Sequence, residues 1–161
     1  MNIIVAKCLN HGIGHENSLP WHFKNDLKYF AKLTKGNGNN AIVMGKNTWL
    51  SLPRRPLPKR ENLVLSTTLN ENNCFKSISE LKEYLNNKNF DEVWIIGGSK
   101  LYEQFVNNKD VNRIYVTNIE KEYECDTFFP KFSDDYLLVD THSEMDSGVK
   151  LTYNIYERQF N

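Results

Sequence analysis

Five short apolar segments place the strongest constraint on how this chain can fold. They are Ile3-Ile4-Val5-Ala6, Ala41-Ile42-Val43-Met44, Leu63-Val64-Leu65, Val93-Trp94-Ile95-Ile96 and Ile114-Tyr115-Val116. Each is too short for a helix, rich in branched residues and barely alternating, the pattern of strands buried on both faces. Helical patterns over 24–34, 77–85 and 99–106, with a short turn after Gly45, lie between them. Ser77-Ile78-Ser79-Glu80 has the form of a capping box opening the pattern over 77–85. Strand and helix in alternation predict an α/β fold with a mostly parallel sheet flanked by helices. The tail differs: 136–141 and 151–157, around Asp146-Ser147-Gly148, predict a closing antiparallel hairpin. Asparagine clusters at 37–40, 70–73 and 86–89 mark loops, and no repeat or long linker interrupts the 161 residues, so one domain covering 1–161 is expected.

Charge and cysteine usage narrow the function. Twenty basic and twenty acidic side chains cancel, whereas a nucleic-acid protein needs a cationic surplus or stripe. No apolar run approaches the roughly 18 residues of a membrane span, and the N-terminus lacks the basic start of a signal peptide. Cys8, Cys74 and Cys125 are far apart and form no CxxC pair, which suits reduced thiols in a cytoplasm. His11 and His15 flank glycines with no third ligand nearby, so no metal site is expected.

In open α/β sheets, ligands bind beyond the carboxyl ends of the parallel strands. After Ile95-Ile96 come Gly97-Gly98 and a helix beginning Ser99-Lys100-Leu101-Tyr102. After Val43-Met44 come Gly45-Lys46-Asn47-Thr48, and after Val64-Leu65 come Ser66-Thr67-Thr68. A glycine turn opening a helix is often purely structural. Three polar strand ends in one sheet favour a long ligand carrying several phosphates. The common dinucleotide fingerprint is absent, because Gly12-Ile13-Gly14-His15-Glu16-Asn17 fails at its last position, and there is no Walker A sequence.

The helix over 24–34 carries the sharpest signal. At 100° per residue Asp26 points within about 60° of Phe23, Tyr29, Phe30 and Leu33, while Lys24, Lys28 and Lys32 form the opposite face. An acid in the first turn favours the helix dipole by about 0.3–1 kcal/mol, but it would do so equally well on the exposed face. A carboxylate within an apolar stripe needs a partner. A planar cationic or amidine-like ligand edge, giving two parallel hydrogen bonds, fits that need. Trp21 reads as a core anchor or a ligand contact. Arg54, Arg55, Lys59 and Arg60, set among prolines, read as a solvated loop or as a seat for an anionic substrate tail.

These pieces, in this order, resemble the dihydrofolate reductase family, in its bacterial chromosomal type, over nearly the whole chain. The resemblance is carried by the first strand through Ala6, Ile13-Gly14, Glu16-Asn17, Leu19-Pro20-Trp21, Asp26-Leu27 and Phe30. It continues through 43–49, Arg55-Pro56-Leu57-Pro58, Arg60 with Asn62, Ile96-Gly97-Gly98 with Leu101-Tyr102, Tyr115 with Thr117, and Asp126-Thr127 with Phe129-Pro130. It implies a single domain with an eight-stranded mixed sheet, parallel apart from the C-terminal strand, flanked by four helices. It also implies NADPH-dependent reduction of 7,8-dihydrofolate to tetrahydrofolate, by hydride transfer to pterin C6 and protonation of N5.

By that resemblance the catalytic residues are Asp26, Trp21 and Thr117. Ile4, Val5, Leu27, Phe30, Leu52, Leu57 and Ile96 would line the substrate pocket, with Arg60 on the glutamate α-carboxylate and Arg55 near that tail. NADPH would meet Ala6 and Ile13 through their backbones, the mobile loop from Gly14 to Trp21 (with Asn17, Ser18 and Leu19), and Gly45, Lys46, Asn47 and Thr48. Ser66, Thr67 and Lys76 would lie on the 2′-phosphate side, and Ile96, Gly97, Gly98, Ser99, Lys100, Leu101 and Tyr102 around the pyrophosphate. The family often has Arg where Lys46 stands, and lysine keeps the charge without the planar fork. A cytoplasmic monomer is implied, open to antifolate inhibitors and without nucleic-acid or membrane partners. Two other readings stay open: a riboflavin-pathway reductase of the same fold, against which Asp26 speaks, and a non-enzymatic nucleotide-binding module. A thymidylate synthase fusion is not expected at this length.

Overall fold

The branched apolar runs become the inner strands of an eight-stranded sheet in the computed structural model, which describes residues 1–159. The elements run β1 (Asn2–Cys8), β2 (Gly12–Gly14), α1 (Lys24–Lys35), β3 (Ala41–Gly45), α2 (Lys46–Ser51), β4 (Glu61–Leu65) and β5 (Cys74–Phe75). They continue α3 (Ile78–Asn86), β6 (Val93–Ile95), α4 (Ser99–Phe105), β7 (Arg113–Ile119), β8 (Thr127–Phe128), β9 (Tyr136–Asp146) and β10 (Val149–Arg158). The large sheet has the order β5-β4-β3-β6-β1-β7-β10-β9. All pairings from β5 to β7 are parallel, and only β10 runs against its neighbours β7 and β9. This is the expected mixed sheet, with four helices among the described residues.

Alternation along β1 divides the core. Ile3 and Val5 enter one cluster with Leu81 of α3 and Leu101 and Phe105 of α4. Ile4 enters the cluster on the other face, with Phe30 and Leu33 of α1 and Trp49 of α2. Helices therefore cover both faces, as buried parallel strands require. The capping box at α3 forms in a variant: the Ser77 hydroxyl accepts from the Glu80 amide, and the Glu80 carboxylate accepts from the amide of Lys76 rather than Ser77.

Two features depart from the sequence expectation. The hairpin strands are longer, 136–146 and 149–158, and meet in a two-residue turn in which Ser147 and Gly148 have φ of 53° and 79°. That turn matches the right-handed strand twist. A second, two-stranded sheet joins β2 to β8. Here Gly12 is required by close approach, since a Cβ at that position would stand 2.2 Å from Cys125 Sγ.

The functional opening follows from the register. β1 pairs with β7 along its whole length but with β6 only through Asn2 and Ile3. Beyond Ile3 the two strands part, and the β6–α4–β7 connection crosses β1 there. A cleft at such a switch point, beyond the strand ends, is where open α/β sheets take ligands.

Candidate functional site

Asp26 lies in the first turn of α1, above the cleft end of β1 and β7. Its neighbour Thr117 is buried on β7, in a cross-sheet row Ala6–Thr117–Tyr153–His142 set by strand register. Burial is the main influence on Asp26 and pushes its carboxyl above the usual carboxylate range. A hydrogen bond with the Thr117 side chain pulls the other way, and the nearby Asp146 and Glu144 carboxylates add to the rise. None of the ion pairs among the described residues involves Asp26. A half-buried carboxylate with no cation in its own chain can take one from a ligand.

Ile4, Phe30, Leu52, Leu57 and Ile96 gather in one apolar cluster on the α1 face, as expected of a pocket wall. Leu27, beside Asp26, is 45% exposed. Val5 does not join them, because its side chain packs into the opposite cluster; only its backbone faces this side. Trp21 is buried against Tyr123 with ring centroids 5.2 Å apart, yet its indole Nε1 has no partner. Arg60 is held from behind: Nε donates to Pro58 O at 2.9 Å and Nη1 to Thr34 Oγ1 at 3.0 Å. Arg55 instead leans over the Trp49 ring, 5.6 Å from its centroid.

The two glycine turns meet. The Gly45 amide donates to Gly97 O at 2.8 Å, and a Cβ on Gly98 would stand 3.6 Å from Thr48 Oγ1. Gly97 has φ of 116°, open to glycine, and the Gly97–Gly98 peptide is cis. Neither Gly45 nor Gly98 supplies a side-chain cap, so the first amides of α2 and α4 are left to other acceptors. Lys46, Asn47 and Lys100 are exposed beside them, and Ser99 is half-buried. Leu101 and Tyr102 point into the core, and the Tyr102 hydroxyl, pushed up by burial, donates to Ile4 O at 2.8 Å. Ser66 is buried and its hydroxyl oxygen accepts from the amides of Thr68 and Leu69, so it braces its own loop; Thr67 and Lys76 are exposed.

Ala6 is half-buried at the open edge of β1, and Ile13 packs on the main core while Gly14 is buried. The following loop turns tightly, with reciprocal His15–Ser18 backbone bonds and positive φ at Glu16 and Asn17. Asn17, Ser18 and Leu19 are exposed. The Glu16 amide donates to Asp126 Oδ2 at 2.8 Å.

Several roles around the site escaped the sequence reading. Thr34 positions Arg60, and Asp126 holds the loop. Asn25 donates through its main-chain amide to Asp146 and through its side chain to Glu144. These partners lie up to 121 positions apart, and no local spacing signals such pairs. No group of three or more metal-ligating side chains exists among the described residues, and no helix is long and apolar enough to cross a membrane.

The family model described as "Dihydrofolate reductase" matches residues 1–158. A dihydrofolate reductase of Drosophila melanogaster is 38% identical, covering 98% of this chain and 97% of its own length. The viral dihydrofolate reductase of Saimiriine herpesvirus 2 (strain 488) is 38% identical over all of this chain and 86% of its own. That of Mus musculus is 34% identical over 99% and 97%. The expected bacterial chromosomal subtype finds no support in these relatives, which are animal and viral. With the sheet, the cleft carboxylate and end-to-end similarity in agreement, the chain belongs to the dihydrofolate reductase family.

Proposed function

We propose that this protein reduces 7,8-dihydrofolate to 5,6,7,8-tetrahydrofolate with NADPH, with Asp26 as the group that binds and polarises the pterin. The observation carrying this reading is a carboxylate half-buried at the cleft mouth without a cation of its own. An amidine-like pterin edge offers two parallel donors to it, a charge-assisted pair stronger than a neutral one. The negative charge of Asp26 then favours a proton on the pterin N5. Thr117 holds the carboxylate in orientation, and the unpartnered Trp21 indole N–H is available to a water or to the ligand. Ile4, Phe30, Leu52, Leu57 and Ile96 exclude water around the ring, which strengthens the electrostatic contacts, and the exposed Leu27 would close over it. Arg60 takes the glutamate carboxylate of the substrate tail.

The paired glycine turns fit a pyrophosphate: the bond from the Gly45 amide to Gly97 O brings together the starts of α2 and α4, whose first amides have no side-chain cap. Lys46, Asn47, Thr48, Ser99 and Lys100 would hold the phosphates, with Thr67 and Lys76 toward the 2′-phosphate. Val5, Ala6 and Ile13 would contribute backbone groups near the nicotinamide, under the loop of Asn17, Ser18 and Leu19. NADPH, when bound, supplies the hydride. The chain works in this reading as a cytoplasmic monomer, and antifolates that copy the amidine edge compete for Asp26.

The test is the loss of NADPH absorbance with dihydrofolate, for wild type and Asp26→Asn. Oxidation dependent on dihydrofolate and nearly abolished in the variant, with NADPH binding kept, supports the assignment. Unchanged turnover in Asp26→Asn would sink it.

A further inference from the structure

The hairpin β9–β10 places a second tier of ionisable groups behind Asp26 that the proposed reaction does not use. Glu144 has both oxygens engaged: Oε2 accepts from the Tyr153 hydroxyl at 2.5 Å and Oε1 from the Asn25 side chain at 3.2 Å. Asp146 Oδ2 accepts from the Asn25 main-chain amide at 3.0 Å. Tyr153 is 1% exposed and stands in register beside Thr117, its ring 4.4 Å from Tyr29 and stacked at 4.8 Å on His142. Both strands of the hairpin are thereby tied to the residue that precedes Asp26.

A purely structural tie would not need this charge. Asparagine or glutamine could accept the same bonds, and the helix start already holds the negative charge of Asp26. Two further carboxylates at that spot repel it, a cost the fold carries. We propose that Glu144, held by Tyr153 and Asn25, is a positioning residue for Asp26: it ties the helix end bearing the substrate-site carboxylate to the hairpin and, with Asp146, keeps negative charge beside it. This rests on the role given to Asp26 above.

The groups facing Asp26 are few. They are Tyr29 on α1 itself, Thr117 on β7, Glu144 and Asp146 on β9, and Tyr153 on β10, with His142 of β9 stacked behind Tyr153. No lysine or arginine is among the influences on Asp26, so only the Thr117 hydrogen bond opposes the hairpin acids. Burial is the larger influence, and Asp146 and Glu144 add to it in the same direction. Tyr153 is itself pushed far up by burial and by Glu144, so it stays a donor to that carboxylate at every working pH. Neutralising Glu144 lets Asp26 ionise at lower pH, and the same loss of negative charge makes a proton on the pterin harder to hold. Both effects move the activity profile toward acid.

The experiment compares wild type, Glu144→Gln, Asp146→Asn and Tyr153→Phe, with His142→Gln as a control that removes the imidazole. Two readouts are taken: the pH profile of kcat/KM for dihydrofolate, and NMR titration of the Asp26 carboxyl carbon in the ligand-free protein. Glu144→Gln should lower both midpoints by on the order of half a pH unit, as one like charge beyond contact distance does near a protein surface. Asp146→Asn should act in the same direction, whereas Tyr153→Phe, which leaves the Glu144 charge in place, should raise KM without lowering the midpoint. Unmoved midpoints in Glu144→Gln and Asp146→Asn, with only thermal stability changed, overturn the proposal. Should Glu144→Gln fail to fold, Asp146→Asn decides by the same criterion. Activity retained in Asp26→Asn would remove the functional reading, while the carboxyl titration would still report whether Glu144 governs that proton.

Discussion

Arg60 carries five N–H donors, and two are committed to Pro58 O and Thr34 Oγ1. The three that remain can present a fork to a ligand carboxylate. A hydrogen bond to a charged partner contributes about 1.5–3 kcal/mol, and the half-buried setting of Arg60 argues for the low end of that range for each arm. Two arms give about 3 kcal/mol, so Arg60→Ala should weaken dihydrofolate binding roughly 100-fold. Arg60→Lys keeps the charge but loses the fork, and should recover only part of this. Thr34→Val is the sharper probe. Thr34 is fully buried and donates to Phe30 O at 2.7 Å while accepting from Arg60. Losing that anchor should cost about 1 kcal/mol of binding, on the order of fivefold. The assay is the dissociation constant of dihydrofolate, beside that of a pterin lacking the benzoylglutamate tail, with kcat measured at saturation. Tail-dependent losses with kcat nearly intact are expected. Equal losses for both ligands would refute the assignment of Arg60 to the tail.

Asp26→Asn should stabilise the ligand-free protein near neutral pH by about 1 kcal/mol, a gain of roughly 2–4 °C in Tm. The sign follows from linkage: the Asp26 carboxyl is raised above its unfolded value, so the ionised form costs stability as pH rises through that window and costs nothing below it. Denaturation curves that run parallel for the two proteins from acid to neutral pH would contradict this. Gly97→Ala should lower stability by about 1–3 kcal/mol and impair NADPH binding, because φ is 116° and the added Cβ would stand 3.1 Å from Tyr102 Oη; chemical denaturation and cofactor titration check it. Ser77→Ala removes the acceptor for the Glu80 amide at 3.1 Å. It should cost about 1 kcal/mol in a thermal melt without changing kcat.

Much of the architecture was legible because it is encoded locally. Branched runs such as Ile3-Ile4-Val5 and Ile42-Val43-Met44 leave no amphipathic choice, so they must be covered on both sides. Asp26 within an apolar helical stripe announced a partly buried carboxylate from 100° periodicity alone. The β2–β8 ladder stayed hidden, because Gly12-Ile13-Gly14 has no strand propensity and pairs only through a glycine-sized gap against Cys125. The placing of Val5 among the pocket residues came from resemblance; alternation along β1 sends its side chain to the other core.

Local physics therefore specified the strands, the helix faces, the α3 cap and the one acid that cannot be content as core. Long-range contact specified what surrounds that acid. Thr117 reaches Asp26 because β7 lies beside β1 in one register, and a slip of one residue would turn its hydroxyl to the opposite face. Thr34 meets Arg60 across 26 positions, and Glu144 meets Asn25 across 119. Such pairs carry no periodic signature in the chain. They exist because packing of the sheet fixes where each backbone runs, and polar groups brought together there must satisfy one another or a ligand.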